Sequence, residues 1–201
     1  MVQDSKLINV TIIKMKYFRT GRQIQISFLF LLLISIGPIY GQDNSKLIET
    51  IREEFQSINT DSTLRRISLS AGEFLDHSPD GGADLIGFFK KDKIRKIVRT
   101  IGVSTGNEII ELYFSKGQLI FVYEEFNSFI TNEETQSLDL EKTERSFEAR
   151  YYFSNKKLFQ TSSTGKSRFI EGDIEPQKNL LDMAEEYQTV LENRMHLLKQ
   201  K

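Results

Sequence analysis

Apolar residues recur at helical spacing in the segment that follows the first forty residues. Between positions 44 and 59 they are Leu47, Ile48, Ile51, Phe55 and Ile58. Residues three or four positions apart lie on one side of a helix, so the pattern predicts an amphipathic helix over residues 44–59. Asn44 or Ser45 is suited to cap its start, because either side chain can accept a hydrogen bond from a free backbone N–H group.

The C-terminal segment carries a second apolar stripe, again with three or four positions between neighbours. Its members are Leu180, Ala184, Tyr187, Leu191, Met195 and Leu198. Pro176 fits the first turn of a helix, where the N–H group that proline lacks has no helical partner. We expect the stripe to pack against the core of the domain. A coiled-coil seam or a partner helix is the alternative.

Between the two predicted helices the pattern changes to short apolar runs broken by turn residues, which is typical of β-hairpins. Three segments share one order of residues: an aromatic residue, Phe, two polar residues, a turn residue, a polar residue, and Ile or Leu. They are residues 88–94, 113–119 and 152–158. Since Asn, Asp and Gly tolerate the positive φ of tight hairpin turns, we expect turns at Lys91-Asp92, Lys116-Gly117 and Asn155-Lys156.

The strand that follows the second of these turns, residues 118–129, is apolar at both odd and even positions. Strands with both faces covered read in this way, so we place it in the interior of the sheet. Regular alternation would put Leu119, Phe121 and Tyr123 on one face and Ile120 and Val122 on the other.

The remaining segments are less patterned. Residues 66–74 read as a weak strand, residues 76–82 as a turn-rich loop, and the polar residues 131–145 as a solvated loop. The chain is therefore predicted to be α+β. An antiparallel sheet of about six or seven strands in a hairpin meander would carry the N-terminal and C-terminal amphipathic helices on one face.

The first forty residues have the pattern of an export signal. Basic residues precede an apolar run of about 14 residues, Ile26–Ile39, and a small residue, Gly41, follows it. We predict a signal peptide region over residues 1–41, with Met15 as an alternative start, and a single exported domain over residues 42–201. An uncleaved membrane tether is the alternative, although the run is shorter than the roughly 20 residues that span a bilayer. The product would be periplasmic or extracellular.

Composition excludes several classes of function. The chain has no Cys and two His, which argues against thiolate chemistry and histidine-rich metal sites. The predicted leader holds five basic residues and one acidic residue, so the mature chain carries 22 basic and 27 acidic side chains and a net charge of −5. A domain with this balance lacks the basic excess of nucleic-acid binders. No cofactor is predicted.

Two local constellations could carry chemistry. Asp76, His77 and Asp80 could ligate a metal, but the surrounding sequence is more typical of a turn whose side chains bond the local backbone. Glu124 could face Glu111 across a hairpin as a carboxylate pair, although solvation of the end of the sheet is the usual explanation for such residues. Neither constellation is predicted as a catalytic or metal site.

One surface feature indicates a class of partner. Six basic residues within ten positions make a basic hairpin: Lys90, Lys91, Lys93, Arg95, Lys96 and Arg99. Such a cluster could bind an anionic partner, with Lys93, Arg95 and Arg99 on one face of a regular strand. The alternative is a solvated edge whose charges prevent aggregation between sheets.

The hairpins Glu111–Glu124 and Ala149–Leu158 resemble those of exported bacterial proteins of unknown function, which have the pattern Tyr-Phe-x-x-Gly-x-Leu. The likeness covers about residues 68–195. More distantly, the hairpins resemble MORN-type repeats, which also pair aromatic residues with a glycine turn. Neither resemblance implies an activity or a catalytic residue.

These observations favour an exported, non-enzymatic binding or envelope-associated module. A carboxylate-dependent hydrolase is the first alternative, and a membrane-tethered envelope protein is the second if the leader is retained. The expected partner is an anionic envelope component or another protein, and not a nucleic acid.

Overall fold

Seven antiparallel strands form one sheet in which each strand pairs with the strand before it in the sequence. The computed structural model describes residues 40–132, 134–165 and 175–200. The strands are β1 (Arg65–Ser70), β2 (Ala83–Lys90), β3 (Lys93–Val103), β4 (Gly106–Ser115), β5 (Gln118–Thr131), β6 (Leu138–Ser154) and β7 (Lys157–Gly165). The described helices are α1 (Tyr40–Thr60), α2 (Ala71–Phe74) and α3 (Pro176–Lys199). The predicted α+β class and the hairpin meander are confirmed.

One compact unit contains the whole sheet, α2, α3 and α1 from Ile48 onward. The other unit ends at Leu47, and its described residues form the beginning of α1. The predicted signal peptide region lies outside the described residues except for Tyr40 and Gly41. Because α1 already begins at Tyr40, Asn44 and Ser45 lie within the helix and do not cap it as predicted.

The three tight turns lie where the sequence predicted them, between β2 and β3, β4 and β5, and β6 and β7. Lys91 has a φ of 55°, and both residues of the other two turns also have positive φ. In each hairpin the register shifts by one residue beside the turn, so the returning strand carries an unpaired extra residue. These extra residues are Arg95, Ile120 and Phe159.

The register shifts decide which side chains enter the core. Phe114 pairs with Leu119, and both lie in the main hydrophobic cluster together with Val122. Phe121 faces the opposite side. The prediction that Leu119 and Phe121 share a face is therefore wrong, because the extra residue Ile120 interrupts the alternation.

Helix α3 covers one face of the sheet, called here the α3 face. Its buried residues are Leu180, Ala184, Tyr187, Leu191 and Met195, which confirms most of the predicted stripe. Gly87 in β2 leaves room for this helix, since a Cβ there would lie 2.9 Å from Leu191 Cδ1. Leu198 was predicted to belong to the buried stripe, but it is 50% exposed and lies outside the core.

Helix α1 covers part of the opposite face, called here the α1 face. The Phe55 ring lies 4.8 Å from the Tyr113 ring and 5.6 Å from the Phe121 ring, measured between centroids. The prediction that both helices pack on one face is wrong. The reason is that β4, β5 and β6 present aromatic residues on both faces, so each face has apolar area to bury.

Two segments differ from their predicted structure. The weak strand predicted over residues 66–74 ends at Ser70, which is the N-cap of α2. Glu73, in the first turn of α2, accepts a hydrogen bond from the Ser70 backbone N–H at 2.9 Å. Residues 138–145 are strand and not loop, since Asp139 and Arg145 pair with β5. Most of their side chains are exposed and polar, which is also typical of a solvated loop. Their backbone nevertheless pairs with β5.

Candidate functional site

A pocket of about 390 Å³ lies on the α1 face, between α1 and the sheet. It is lined by Ile51, Arg52, Phe55, Glu111, Phe121, Tyr123, Arg150 and Tyr152. The register of the sheet assembles it, because Phe121 lies opposite Tyr152 and Tyr123 lies opposite Arg150 on neighbouring strands. Cross-strand neighbours of this kind place their side chains in contact on one face.

Aromatic rings form the walls of the pocket. The Phe121 ring packs edge-on against Phe55 at 5.6 Å and lies 5.0 Å from the Tyr152 ring. These separations are typical of aromatic pairs that are packed together. The walls are therefore apolar, preformed and contributed by both α1 and the sheet.

Glu111 is the carboxylate in the pocket lining, and protein groups already compensate its charge. It accepts a hydrogen bond from Lys96 Nζ at 2.8 Å and another from the Tyr113 hydroxyl. Burial, followed by the neighbouring Glu111 carboxylate, raises the pKa of the Tyr113 hydroxyl, which therefore stays protonated and keeps donating. Glu111 thus has its donors in place without any ligand.

Arg150 is held in position by the sheet. Its two terminal nitrogens lie 2.8 and 3.3 Å from the carboxylate oxygens of Glu148, and its guanidinium lies 5.3 Å from the centre of the Tyr123 ring. The Arg150 hydrogen bonds lower the pKa of Glu148 more than any other contact does. A guanidinium has five N–H donors, so this pair leaves donors free for another group.

Arg52 lies on the α1 side of the pocket and is exposed. Within the described ranges, no hydrogen bond or ion pair of its side chain is found. Of the charged residues in the pocket, Glu111 therefore has its charge compensated by Lys96, and Arg150 uses part of its hydrogen-bonding capacity on Glu148. The Arg52 guanidinium has no partner among the described residues.

The six residues of the predicted basic hairpin do not form one surface. They are Lys90, Lys91, Lys93, Arg95, Lys96 and Arg99. Lys90, Arg95 and Lys96 each pair with a carboxylate, at N–O distances of 2.8, 2.6 and 2.8 Å. Lys91 and Lys93 are exposed and form no ion pair with any described residue. Binding of an anionic partner at this hairpin stays a prediction, and these two lysines are the residues left free for it.

Arg99 lies on the α3 face and is only 8% exposed. It pairs with Glu108 and donates to the Tyr187 hydroxyl at 3.2 Å. It does not share a face with Arg95, as a regular strand would require, because the extra residue at Arg95 inverts the alternation. Arg99 therefore holds α3 to the sheet and is not part of an accessible basic surface.

The predicted carboxylate pair is not formed. Glu111 lies opposite Tyr123 on the α1 face, whereas Glu124 lies on the α3 face and accepts a hydrogen bond from the Tyr151 hydroxyl at 3.0 Å. Glu125 lies on the α1 face with Tyr123, so adjacent Glu124 and Glu125 point to opposite sides as alternation requires.

The turn-rich loop 76–82 packs its backbone on β3. Gly81 and Gly82 exchange hydrogen bonds with Gly102, at 3.2 and 2.9 Å. A Cβ at Gly81 would lie 2.7 Å from the Gly102 backbone, so the close approach requires glycine. No group of His, Asp or Glu suited to a metal is found among the described residues, including Asp76, His77 and Asp80.

Sequence reasoning missed the pocket because its lining comes from four separate elements. The only signal in the sequence was the spacing of two positions between Phe121 and Tyr123 and between Arg150 and Tyr152. The positions between them, Val122 and Tyr151, are also apolar or aromatic. That alternation indicates a second face that needs a cover, but it does not identify the cover as α1.

Comparison with family models, curated proteins and solved structures finds no match. No helix within the described part of the chain is long and apolar enough to cross a membrane.

Proposed function

We propose that this protein is an exported, non-enzymatic binding module that takes up a small ligand in the pocket between α1 and the sheet. The observation that carries the proposal is the preformed pocket of about 390 Å³ with aromatic walls and three charged side chains. Small-molecule sites in proteins typically have this size and this combination of apolar walls with a few polar groups. The signal pattern of residues 14–41 supports export.

The pocket favours binding over hydrolysis. Glycosidase-like chemistry uses two carboxylates on either side of the reacting bond. Among the residues that line the pocket, Glu111 is the single carboxylate, and Lys96 and Tyr113 already occupy its oxygens. A carboxylate held in this way is poorly placed to act as a base, so the hydrolase alternative has less support.

A unique thiol tests whether the pocket binds a ligand. The chain has no Cys, so Arg52→Cys places one reactive group at the pocket. Glu53→Cys provides a matched control, since Glu53 is the exposed neighbour on α1 that does not line the pocket. The probe is N-phenyl-1-naphthylamine, an uncharged aromatic compound, and the readout is the rate of iodoacetamide modification by intact mass.

We expect the probe to slow modification of the Arg52→Cys variant several-fold and to leave the Glu53→Cys variant unchanged. Equal rates with and without probe in both variants would contradict the proposal. Equal slowing in both would also contradict it, because the probe would then bind elsewhere on α1. Circular dichroism of both variants verifies that they are folded.

A further inference from the structure

The charged residues of the pocket indicate what kind of ligand it takes. Apolar walls formed by Phe55, Phe121 and Tyr152 fit an apolar, ring-sized body. The same rings could in principle surround a cation, as aromatic cages do. The charges around them distinguish between an anionic and a cationic ligand.

A cationic group would find no free carboxylate in the lining. Glu111 is paired with Lys96 at 2.8 Å, and Arg52 and Arg150 both line the pocket. Glu148 balances the charge of Arg150, as Lys96 balances that of Glu111, so the uncompensated charge in the lining is the positive charge of Arg52. That charge repels a cation and attracts an anion.

An anionic group would find donors from both walls. Arg150 is fixed by Glu148 and keeps N–H groups beyond the two that face that carboxylate. Arg52 comes from α1 and has no partner among the described residues, so its charge is available. Planar guanidinium groups bind carboxylate, sulfonate and phosphate groups through paired hydrogen bonds.

We infer that the ligand of this pocket has an apolar, ring-sized body and one anionic group, which Arg52 and Arg150 bind. This inference rests on the proposed function, since it names the ligand class of the same pocket. Arg52 supplies the free positive charge, and Arg150 supplies a positioned set of donors. The aromatic walls take the apolar body.

Two probes that differ by one charge test the inference. N-phenyl-1-naphthylamine is uncharged, and 8-anilinonaphthalene-1-sulfonate has the same rings with an added sulfonate. Their fluorescence on binding is titrated against the wild-type chain and the Arg52→Gln variant. The control is Arg194→Gln, which removes the same charge from an exposed position on α3, outside the pocket.

We expect the sulfonate probe to bind the wild-type chain more tightly than the uncharged probe. Arg52→Gln should weaken the sulfonate probe about tenfold, the effect of one lost hydrogen bond to a charged group. It should weaken the uncharged probe far less, because only the sulfonate interacts with the lost charge, and Arg194→Gln should change the affinity of neither probe. Added salt should weaken only the sulfonate probe.

The outcomes separate this inference from the proposed function. If both probes bind equally and Arg52→Gln affects neither, the anionic group is excluded while a binding pocket remains. If Arg194→Gln weakens the sulfonate probe as much as Arg52→Gln, the effect is one of net charge, and the role of Arg52 is excluded. If neither probe slows thiol modification at position 52, the proposed function itself fails.

Discussion

Glu124 is a carboxylate buried on the α3 face of the sheet, with 6% of its surface exposed. It accepts a hydrogen bond from the Tyr151 hydroxyl at 3.0 Å. Desolvation raises its pKa, and this effect outweighs the opposite effects of the Tyr151 hydrogen bond and the Arg99 charge. Burial of this single group therefore makes the free energy of unfolding depend on pH.

The sign of that dependence follows from linkage. Because the folded pKa of Glu124 lies above its unfolded value, the unfolded chain releases this proton first as pH rises. The stability that the protonated carboxyl provides is complete below about pH 4, near the ordinary glutamate pKa, and is lost above it. Glutamine does not titrate, so Glu124→Gln should remove this loss. We expect the free energy of unfolding of the variant, measured by urea denaturation, to rise relative to that of wild type between pH 4 and pH 7.

Glu73 provides a control of opposite sign for the pH experiment. Hydrogen bonds from the Ser70 backbone and hydroxyl lower the pKa of Glu73, so its contribution is lost as pH falls. Glu73→Gln should therefore lose stability relative to wild type as pH rises from about 3 to about 5, since the Glu73 contribution is complete above the ordinary glutamate pKa. If Glu124→Gln keeps a constant difference from wild type between pH 4 and pH 7 while Glu73→Gln shows its expected change, the burial argument for Glu124 is wrong.

At the scale of one element, the turn between β6 and β7 contains a lysine in an unfavourable conformation. Lys156 has a φ of 61°, in the left-handed region that glycine tolerates best. Lys156→Gly would give the turn Asn-Gly, the preferred pair for such hairpins. We expect it to stabilise the protein by roughly 0.5–1 kcal/mol, measured by urea denaturation.

The neighbouring residue Lys157 is the matched control for this substitution. It begins β7, is exposed, and its φ is not positive. Glycine there only adds freedom to the unfolded chain, so Lys157→Gly should destabilise by about 0.5–1 kcal/mol. The turn argument fails if the two substitutions change stability in the same direction.

Helix α3 provides a second prediction at this scale. Leu191 is fully buried against the sheet, whereas Leu198, about two turns further along the helix, is 50% exposed. Leu191→Ala should destabilise by roughly 2–5 kcal/mol, the usual effect of a large-to-small change in a core. Leu198→Ala should change the free energy of unfolding by less than about 0.5 kcal/mol. Similar effects of both changes would mean that the helix packs differently.

At the scale of the whole molecule, the export pattern predicts a mature chain that begins near Gln42. Cleavage after Gly41 would leave α1 almost complete, since the helix spans Tyr40–Thr60. Intact mass of the protein recovered from the cell envelope or medium measures the N-terminus. A mass that retains residues 15–41 would instead favour the tethered alternative.

The sequence alone determined those features that depend on residues near one another in the chain. The two amphipathic helices and the three tight turns were predictable, because helix faces repeat every three or four residues and turns require a few residue types. The same locality predicted the α+β class and the number of strands. It also predicted that Pro176 begins the last helix.

Tertiary structure alone decided the features that depend on which side chains share a face. Extra residues at Arg95, Ile120 and Phe159 shift the alternation, and no local pattern signals a register shift. The alternation of the sequence therefore predicted the wrong face of the sheet for Arg99 and Leu119. The pocket forms only because α1 packs over β4, β5 and β6, and long-range packing, not local spacing, brings Arg52 and Arg150 to one site.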